Sequence, residues 1–304
     1  MKTYLVTGAA GFVGAALAQK LIDKGNKVIT IDNLSTGFEK SIPKGVIFYK
    51  GNAQDALLIK KLEKYNFDCI FHIAGQSSGE ISYDDPVYDL QTNTQSTLLL
   101  LKLAEKIKCK KFIYASTMSV YGDKKDYVSE NDPTNPKSFY GVGKLASEKY
   151  LKIFSKNIAT TSLRLFNIYG PGQNMQNMRQ GMVSIFLQQA LSSNQIIVKG
   201  PLSRFRDFVF IEDVVNAFIN SEKRNSTDPK IYNIGTGSKH SVKELIEIIA
   251  SNFKESKKII QKSNTPGDQF GLFANNSLAI EELNWKPNYS LEEGLRIMIE
   301  YYNK

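Results

Sequence analysis

Short apolar runs alternate with amphipathic stretches through the first two-thirds of the chain. Tyr4-Leu5-Val6, Lys27-Val28-Ile29-Thr30-Ile31, Val46-Ile47-Phe48-Tyr49, Cys69-Ile70-Phe71-His72, Phe112-Ile113-Tyr114-Ala115 and Ser162-Leu163-Arg164-Leu165 are rich in β-branched and aromatic residues and read as strands. Between them, helical segments are expected near 12–24, 54–64, 87–107 and 139–156. Strands alternating with helices predict an α/β fold, a doubly wound parallel sheet of the Rossmann type.

From Tyr169-Gly170-Pro171-Gly172 the pattern loosens. A loop rich in Gln, Asn and Met runs to Gly181, followed by an expected helix, a hairpin-like stretch around 196–210 and a helix after Glu212-Asp213. Ile231-Tyr232-Asn233-Ile234-Gly235 reads as a further strand, and Ser241-Val242-Lys243-Glu244 as a capping box opening a helix. The expected organisation is a Rossmann domain over 1–168 and a smaller C-terminal α/β domain over 169–304, interleaved with the first.

Bulk properties narrow the field only a little. The 304 residues suffice for one large core, and no apolar run approaches the roughly 18 residues of a membrane span. The formal charge of +9 invites a nucleic-acid reading. Its lysines, however, are scattered over helical faces and ends (Lys20, Lys24, Lys60, Lys61, Lys64, Lys102, Lys106, Lys110, Lys111), with no dense basic block. A small anionic substrate is therefore favoured over nucleic acid or membrane. Cys69 and Cys109 are expected as unpaired buried thiols, and the start of the chain lacks the features of a signal peptide; both point to the cytoplasm. Two histidines without clustered ligands give no expected metal site.

The chemistry concentrates in two motifs. Gly8-Ala9-Ala10-Gly11-Phe12-Val13-Gly14 follows the first strand and opens a helix, and Asp32 ends the next strand 18 residues after Gly14. Such glycines let the backbone approach a pyrophosphate while the helix N-terminus supplies N–H donors. Asp32 can accept from both hydroxyls of an adenosine ribose and would repel a 2′-phosphate; no arginine follows in Asn33-Leu34-Ser35-Thr36-Gly37, so NAD is expected over NADP.

The second motif is Tyr140-Gly141-Val142-Gly143-Lys144, which sets a phenol and an ammonium one turn apart on the same helix face. The preceding strand ends in Ala115-Ser116-Thr117-Met118, at the edge where open α/β sheets hold ligands. Lys144 is expected to lower the phenol pKa and hold the nicotinamide ribose, Tyr140 to act as general base or acid, and the Thr117 hydroxyl to bond the reacting sugar oxygen.

Together these motifs resemble the extended short-chain dehydrogenases/reductases acting on nucleotide sugars, with the UDP-glucose 4-epimerase branch most similar. Further similarity follows nearly the whole chain, at Asp32-Asn33-Leu34-Ser35-Thr36-Gly37, Arg164-Leu165-Phe166-Asn167-Ile168-Tyr169-Gly170-Pro171-Gly172, Arg206-Asp207-Phe208-Val209-Phe210 and Pro266-Gly267-Asp268. The resemblance implies an NAD-binding first domain and a nucleotide-sugar-binding second one. It implies cofactor contacts from Gly8, Gly11, Phe12, Val13, Gly14, Asp32, Asn33, Asn52, Ala53, Ala74 and Gly75, with Tyr140 and Lys144. By position it also gives Asn167 and Arg206 to the substrate diphosphate and Asp268 to the nucleotide ribose. Relatives often dimerise, so a homodimer through the helices at 87–107 and 139–156 is expected.

The same resemblance discriminates among reactions. Dehydratases of this kind place Asp-Glu directly after the threonine, where this chain has Met118 and Ser119, so simple redox chemistry at C4 is favoured. Three departures bear on the substrate. Asn52 replaces an aspartate that contacts adenine, Thr265 replaces a diphosphate-binding arginine, and Gln76-Ser77-Ser78-Gly79 forms a small polar loop. Gln76, Ser77, Met118 and Leu272 are the candidates for governing whether a keto sugar has room to turn over. The leading expectation is 4-epimerisation through a 4-keto intermediate. A 4-dehydrogenase or 4-keto reductase on a hexose or heptose for surface polysaccharide shares every catalytic residue. A non-catalytic dinucleotide-binding regulator is the alternative of another class.

Overall fold

The computed structural model describes residues 1–123, 127–224, 226–263 and 269–303. Its centre is a seven-stranded sheet in the order Lys230–Ile234, Ala159–Leu165, Lys111–Thr117, Cys69–His72, Thr3–Thr7, Lys27–Asp32 and Ile47–Lys50. Every neighbouring pair is parallel. Register turns the sequence pattern into two faces. Leu5 lies opposite both Ile29 and Ile70, and Ile70 opposite Phe112, so one apolar row crosses four strands. One residue along, Tyr4 lies opposite Val28 and Cys69 on the other face.

Both faces are covered, which is why these strands read as near-continuous apolar runs. Helices Phe12–Asp23 and Ile211–Glu222 lie over the Tyr4 face, bringing Leu17, Leu21, Val214 and Phe218 against Val6 and Phe71. Helices Ala56–Lys60, Ser96–Lys106 and Phe139–Phe154 cover the Leu5 face with Leu58, Leu100, Leu101 and Leu151. The chain winds outward in both directions from the neighbours Thr3–Thr7 and Cys69–His72. A crevice therefore opens at their carboxyl ends.

The seventh strand comes from the second segment of the chain, so that segment contributes to the first sheet as well as forming its own lobe. In the smaller lobe the expected hairpin near 196–210 is absent. Gln195–Lys199 instead pairs in parallel with Lys258–Lys262, Phe205–Arg206 pairs with His240–Ser241, and Phe208–Phe210 pairs with Asn167–Tyr169. Local alternation suggested a partner next door, but each strand finds one distant in sequence.

Two helix expectations are also corrected. The stretch 87–107 is three pieces, Pro86–Leu90, a π-helical Gln91–Gln95 and Ser96–Lys106. The widened turn sends Thr92 and Asn93 inward, where Asn93 Nδ2 donates to the Gln76 carbonyl at 2.9 Å and Thr92 Oγ1 accepts from Gln76 N at 3.3 Å. At Val242–Ser251 only half of the capping box forms. Ser241 Oγ accepts from Glu244 N, while the Glu244 carboxylate bonds the His240 ring at 2.8 Å. The reciprocal box stands at Ser290 and Glu293, opening Leu291–Tyr302. No helix among the described residues is long and apolar enough to cross a membrane.

Candidate active site

At the crevice lies a cavity of about 420 Å³, lined by the glycine loop, the ends of several strands and the start of the Tyr140 helix. The loop is built for close approach. A Cβ on Gly14 would sit 2.1 Å from the Gly8 carbonyl oxygen, so only glycine lets the helix start press against the turn. Asp32 holds this arrangement from the next strand. Its Oδ2 accepts from Ala10 N at 2.9 Å and its Oδ1 from Leu34 N at 2.8 Å. Each oxygen has further acceptor capacity, and Asp32 lines the cavity, where a ribose hydroxyl could donate to it.

Of the expected cofactor residues, Gly8, Gly11, Phe12, Val13, Gly14, Asp32, Asn33, Ala53, Ala74 and Gly75 all line this cavity. Asn52 does not; it is exposed at the rim, where its Oδ1 accepts from Asn33 Nδ2 at 2.9 Å. Gly75 is required by crowding. Its φ is +155°, and a Cβ there would lie 2.3 Å from Asn93 Oδ1. Loop, helix N-terminus and strand-end carboxylate together fit a dinucleotide.

Thr117, Tyr140 and Lys144 meet on the opposite wall. Ser138 Oγ caps their helix by accepting from Gly141 N at 3.1 Å, and Tyr140, Gly143, Lys144, Ser147, Glu148 and Leu151 form its buried face. Lys144 does not lower the phenol as expected. Its ammonium donates to the Ala115 carbonyl at 2.9 Å and lies 4.7 Å from the Tyr114 ring centroid. Burial dominates both groups: it pushes Tyr140 up to about 12, against a smaller downward pull from the Thr117 hydroxyl, and Lys144 down to about 8. The buried Asp89 carboxylate raises both.

The proposed sugar residues divide. Ser77, Met118 and Asn167 line the cavity. Asn167 Nδ2 donates to the Asp207 carbonyl at 3.2 Å and to Met118 Sδ at 3.5 Å. Gln76 turns away, donating through Nε2 to the Ser78 carbonyl at 2.7 Å and to Asp89 Oδ1 at 2.9 Å. Leu272 is fully buried in the apolar core. Arg206 is buried outside the cavity wall, its guanidinium bonded to the carbonyls of Phe205, Phe270 and Gln269. Burial, with Arg204 nearby, pushes it down to about 10. Asp268 and Thr265 lie outside the described residues.

Three organisers escaped the sequence reading. Asp89 ties the Gln76 loop to Asn93, which bonds the same carboxylate oxygen at 3.2 Å. Asp207 is fully buried and accepts from the backbone N–H groups of Thr236, Gly237 and Ala274, folding the second lobe around one carboxylate. The segment from Gln173 to Gly181 closes over the cavity, and several of its residues form the wall. Asp207 lay inside the motif Arg206-Asp207-Phe208-Val209-Phe210 without a role of its own, and Asp89 was a carboxylate inside an otherwise ordinary segment.

Fold and site define a dinucleotide-binding α/β protein with a buried Tyr–Lys pair facing its cofactor cleft. The chain belongs to the NAD dependent epimerase/dehydratase family, which it matches over residues 4–235. It is 33% identical over 307 residues to a UDP-glucose 4-epimerase of Mycolicibacterium smegmatis, covering 98% of this chain and 97% of that one. Among solved structures, the UDP-glucose 4-epimerase of Thermotoga maritima with UDP-glucose has a TM-score of 0.95 at 33% identity, covering 99% and 98% of the two chains. A Thermus thermophilus UDP-glucose 4-epimerase in complex with NAD gives 0.91 at 28%, covering 99% of each chain.

Proposed function

We propose that this enzyme interconverts the C4 epimers of a UDP-sugar through a 4-keto intermediate. The observation that carries the reading is the meeting of Thr117, Tyr140 and Lys144 on the wall of the cavity that the glycine loop also lines. NAD bound along that loop supplies the hydride acceptor and donor.

The protein's own residues handle position and protons. Thr117 Oγ1, which accepts from Ser119 N at 3.1 Å, is fixed to meet the O4 hydroxyl. Tyr140 takes the O4 proton and later returns it. Lys144, anchored on the Ala115 carbonyl, is the residue that would hold the nicotinamide ribose. Met118 and Ser119 stand where elimination would need an acid and a base, which favours epimerisation over dehydration. Ser77 is the sugar-side contact of this reading, with Asn167 and Arg206 assigned to the diphosphate and Asp268 to the nucleotide ribose.

We assign a homodimer to the same reading. Val87, Leu90, Phe139 and Val142 are between 48% and 64% exposed on the two helices expected to pair, apolar surface that a second copy would cover.

Incubation of the purified protein with UDP-glucose or its N-acetyl analogue, without added cofactor, tests the reaction. An equilibrium of C4 epimers by NMR, with no lasting absorbance of reduced nicotinamide, is the expected result. Stoichiometric 4-keto sugar without epimer would replace this reading by the 4-dehydrogenase.

A further inference from the structure

Residues Gln173 to Gly181 cross the crevice as a strap, and its polar side chains bond Thr36 at one end and the 77–84 segment at the other. Asn174 Nδ2 donates to the Thr36 carbonyl at 3.2 Å. Arg179 Nη1 bonds Asp84 Oδ2 at 2.7 Å, and its Nε lies 3.7 Å from Glu80 Oε1. Gln180 Nε2 donates to Ser77 Oγ at 2.5 Å. At the strap's root the Tyr302 phenol donates to the Gln173 carbonyl at 2.5 Å.

These attachment points bracket the cofactor cleft. Thr36 follows Asp32 at the ribose end, while Ser77 lies beyond Gly75, toward Tyr140. Just before the strap the backbone passes Phe12, whose ring would lie 3.8 Å from a Cβ on Gly172. Phe12 opens the helix whose N-terminus faces the pyrophosphate position. Gln173, Asn174, Gln180 and Gly181 all line the cavity, so the strap roofs the middle of the cleft. A bound dinucleotide would lie beneath it and could leave only if its attachments opened.

From this we infer that the strap is a latch on the dinucleotide, and that the clamp of Arg179 on Asp84 and Glu80 sets how long NAD stays. The latch itself needs only NAD binding. Its effect on the product rests on the 4-epimerase reading: a cofactor held through both half-reactions gives an epimer, whereas early release gives free 4-keto sugar. The clamp suits a latch that must still open. Arg179 and Asp84 are 47% and 54% exposed, and such a pair is individually weak and screened by salt.

The test is NAD dissociation from the loaded protein, measured in a stopped-flow trap without sugar. Arg179→Ala should raise the dissociation rate about threefold to fivefold and flatten its salt dependence, with the melting temperature of the cofactor-free protein unchanged. Asn174→Ala, at the other end, should give a smaller rise in the same direction. The charge swap Arg179→Asp with Asp84→Arg should slow dissociation again. Rates within twofold of wild type for both single variants overturn the latch, as does a wild type that binds no NAD. The product is read separately: with UDP-sugar, Arg179→Ala should release more 4-keto sugar than wild type. A wild type that forms no epimer refutes the 4-epimerase reading while leaving the dissociation result to decide the latch.

Discussion

Lys144 donates its ammonium hydrogen bond to the carbonyl oxygen of Ala115, at the end of the neighbouring strand, while the Tyr140 ring centroid lies 5.8 Å from that nitrogen. The pair is thus aligned by the sheet and not by a direct bond. Burial keeps the phenol protonated, pushing it up to about 12, and brings the lysine down to about 8.

Replacing Tyr140 with Phe removes the proton acceptor and leaves the packing of a buried ring intact. Turnover should fall about 100-fold or more with NAD still bound. Steady-state kinetics beside an NAD titration checks both halves, and unchanged turnover would end the assignment.

Lys144 makes a prediction about stability with a definite sign. Its folded pKa, about 8, lies below the ordinary lysine value, so between the two the unfolded chain holds a proton that the folded chain has lost. Stability from this group rises with pH across that window, and below it the protein bears a constant burial cost on the order of 3 kcal/mol. Lys144→Met should be inactive, yet gain stability relative to wild type at pH 7 and lose that gain by about pH 10. Paired denaturation curves at the two pH values measure it, and a difference that does not change with pH refutes the shift.

Asp32→Ala combined with Asn33→Arg should move cofactor preference toward NADP, by roughly tenfold or more in the ratio of dissociation constants. A carboxylate is removed and a cation added where the 2′-phosphate would lie. Because Asp32 also holds Ala10 and Leu34, affinity for both dinucleotides should fall in absolute terms. Fluorescence titrations with the two cofactors separate these effects.

Arg164 and Glu148 form a buried pair, bonded through both Nε and Nη2 at 3.0 and 2.8 Å, and Ser116 Oγ donates to the same carboxylate at 2.6 Å. Arg164→Met leaves that charge with a hydroxyl alone and should cost about 3–5 kcal/mol in urea denaturation. Adding Glu148→Met should recover much of the loss, since no buried charge then remains.

The central sheet was legible because its inner strands, such as Thr3–Thr7 and Cys69–His72, are buried on both faces and rich in apolar residues. Helix Phe139–Phe154 was legible for the opposite reason, a cap and a two-sided face. What escaped was polar structure turned inward. Thr92 and Asn93 look like a solvated helix face in sequence but bond a loop backbone. Gln76 looks like a pocket residue but is consumed by Asp89 and Ser78. Polar residues carry no periodic mark of their partners, so only the folded chain reveals which bonds they make. The glycine loop, Asp32 and the Tyr–Lys pair escaped this ambiguity because each sits at a strand end or helix start that the apolar pattern had already located.

Strand Lys230–Ile234 has a consequence for how the protein is made. It is hydrogen-bonded to Ala159–Leu165 and closes that side of the sheet, yet it follows the whole strap and much of the second lobe in the chain. During translation the sheet must wait for residue 234 to leave the ribosome, with Ala159–Leu165 presenting an unpaired edge meanwhile. A fragment ending at residue 168 would keep that edge permanently and lose the helix Ile211–Glu222 that shields Phe71. Such a fragment should therefore be less stable than the same residues within the whole chain.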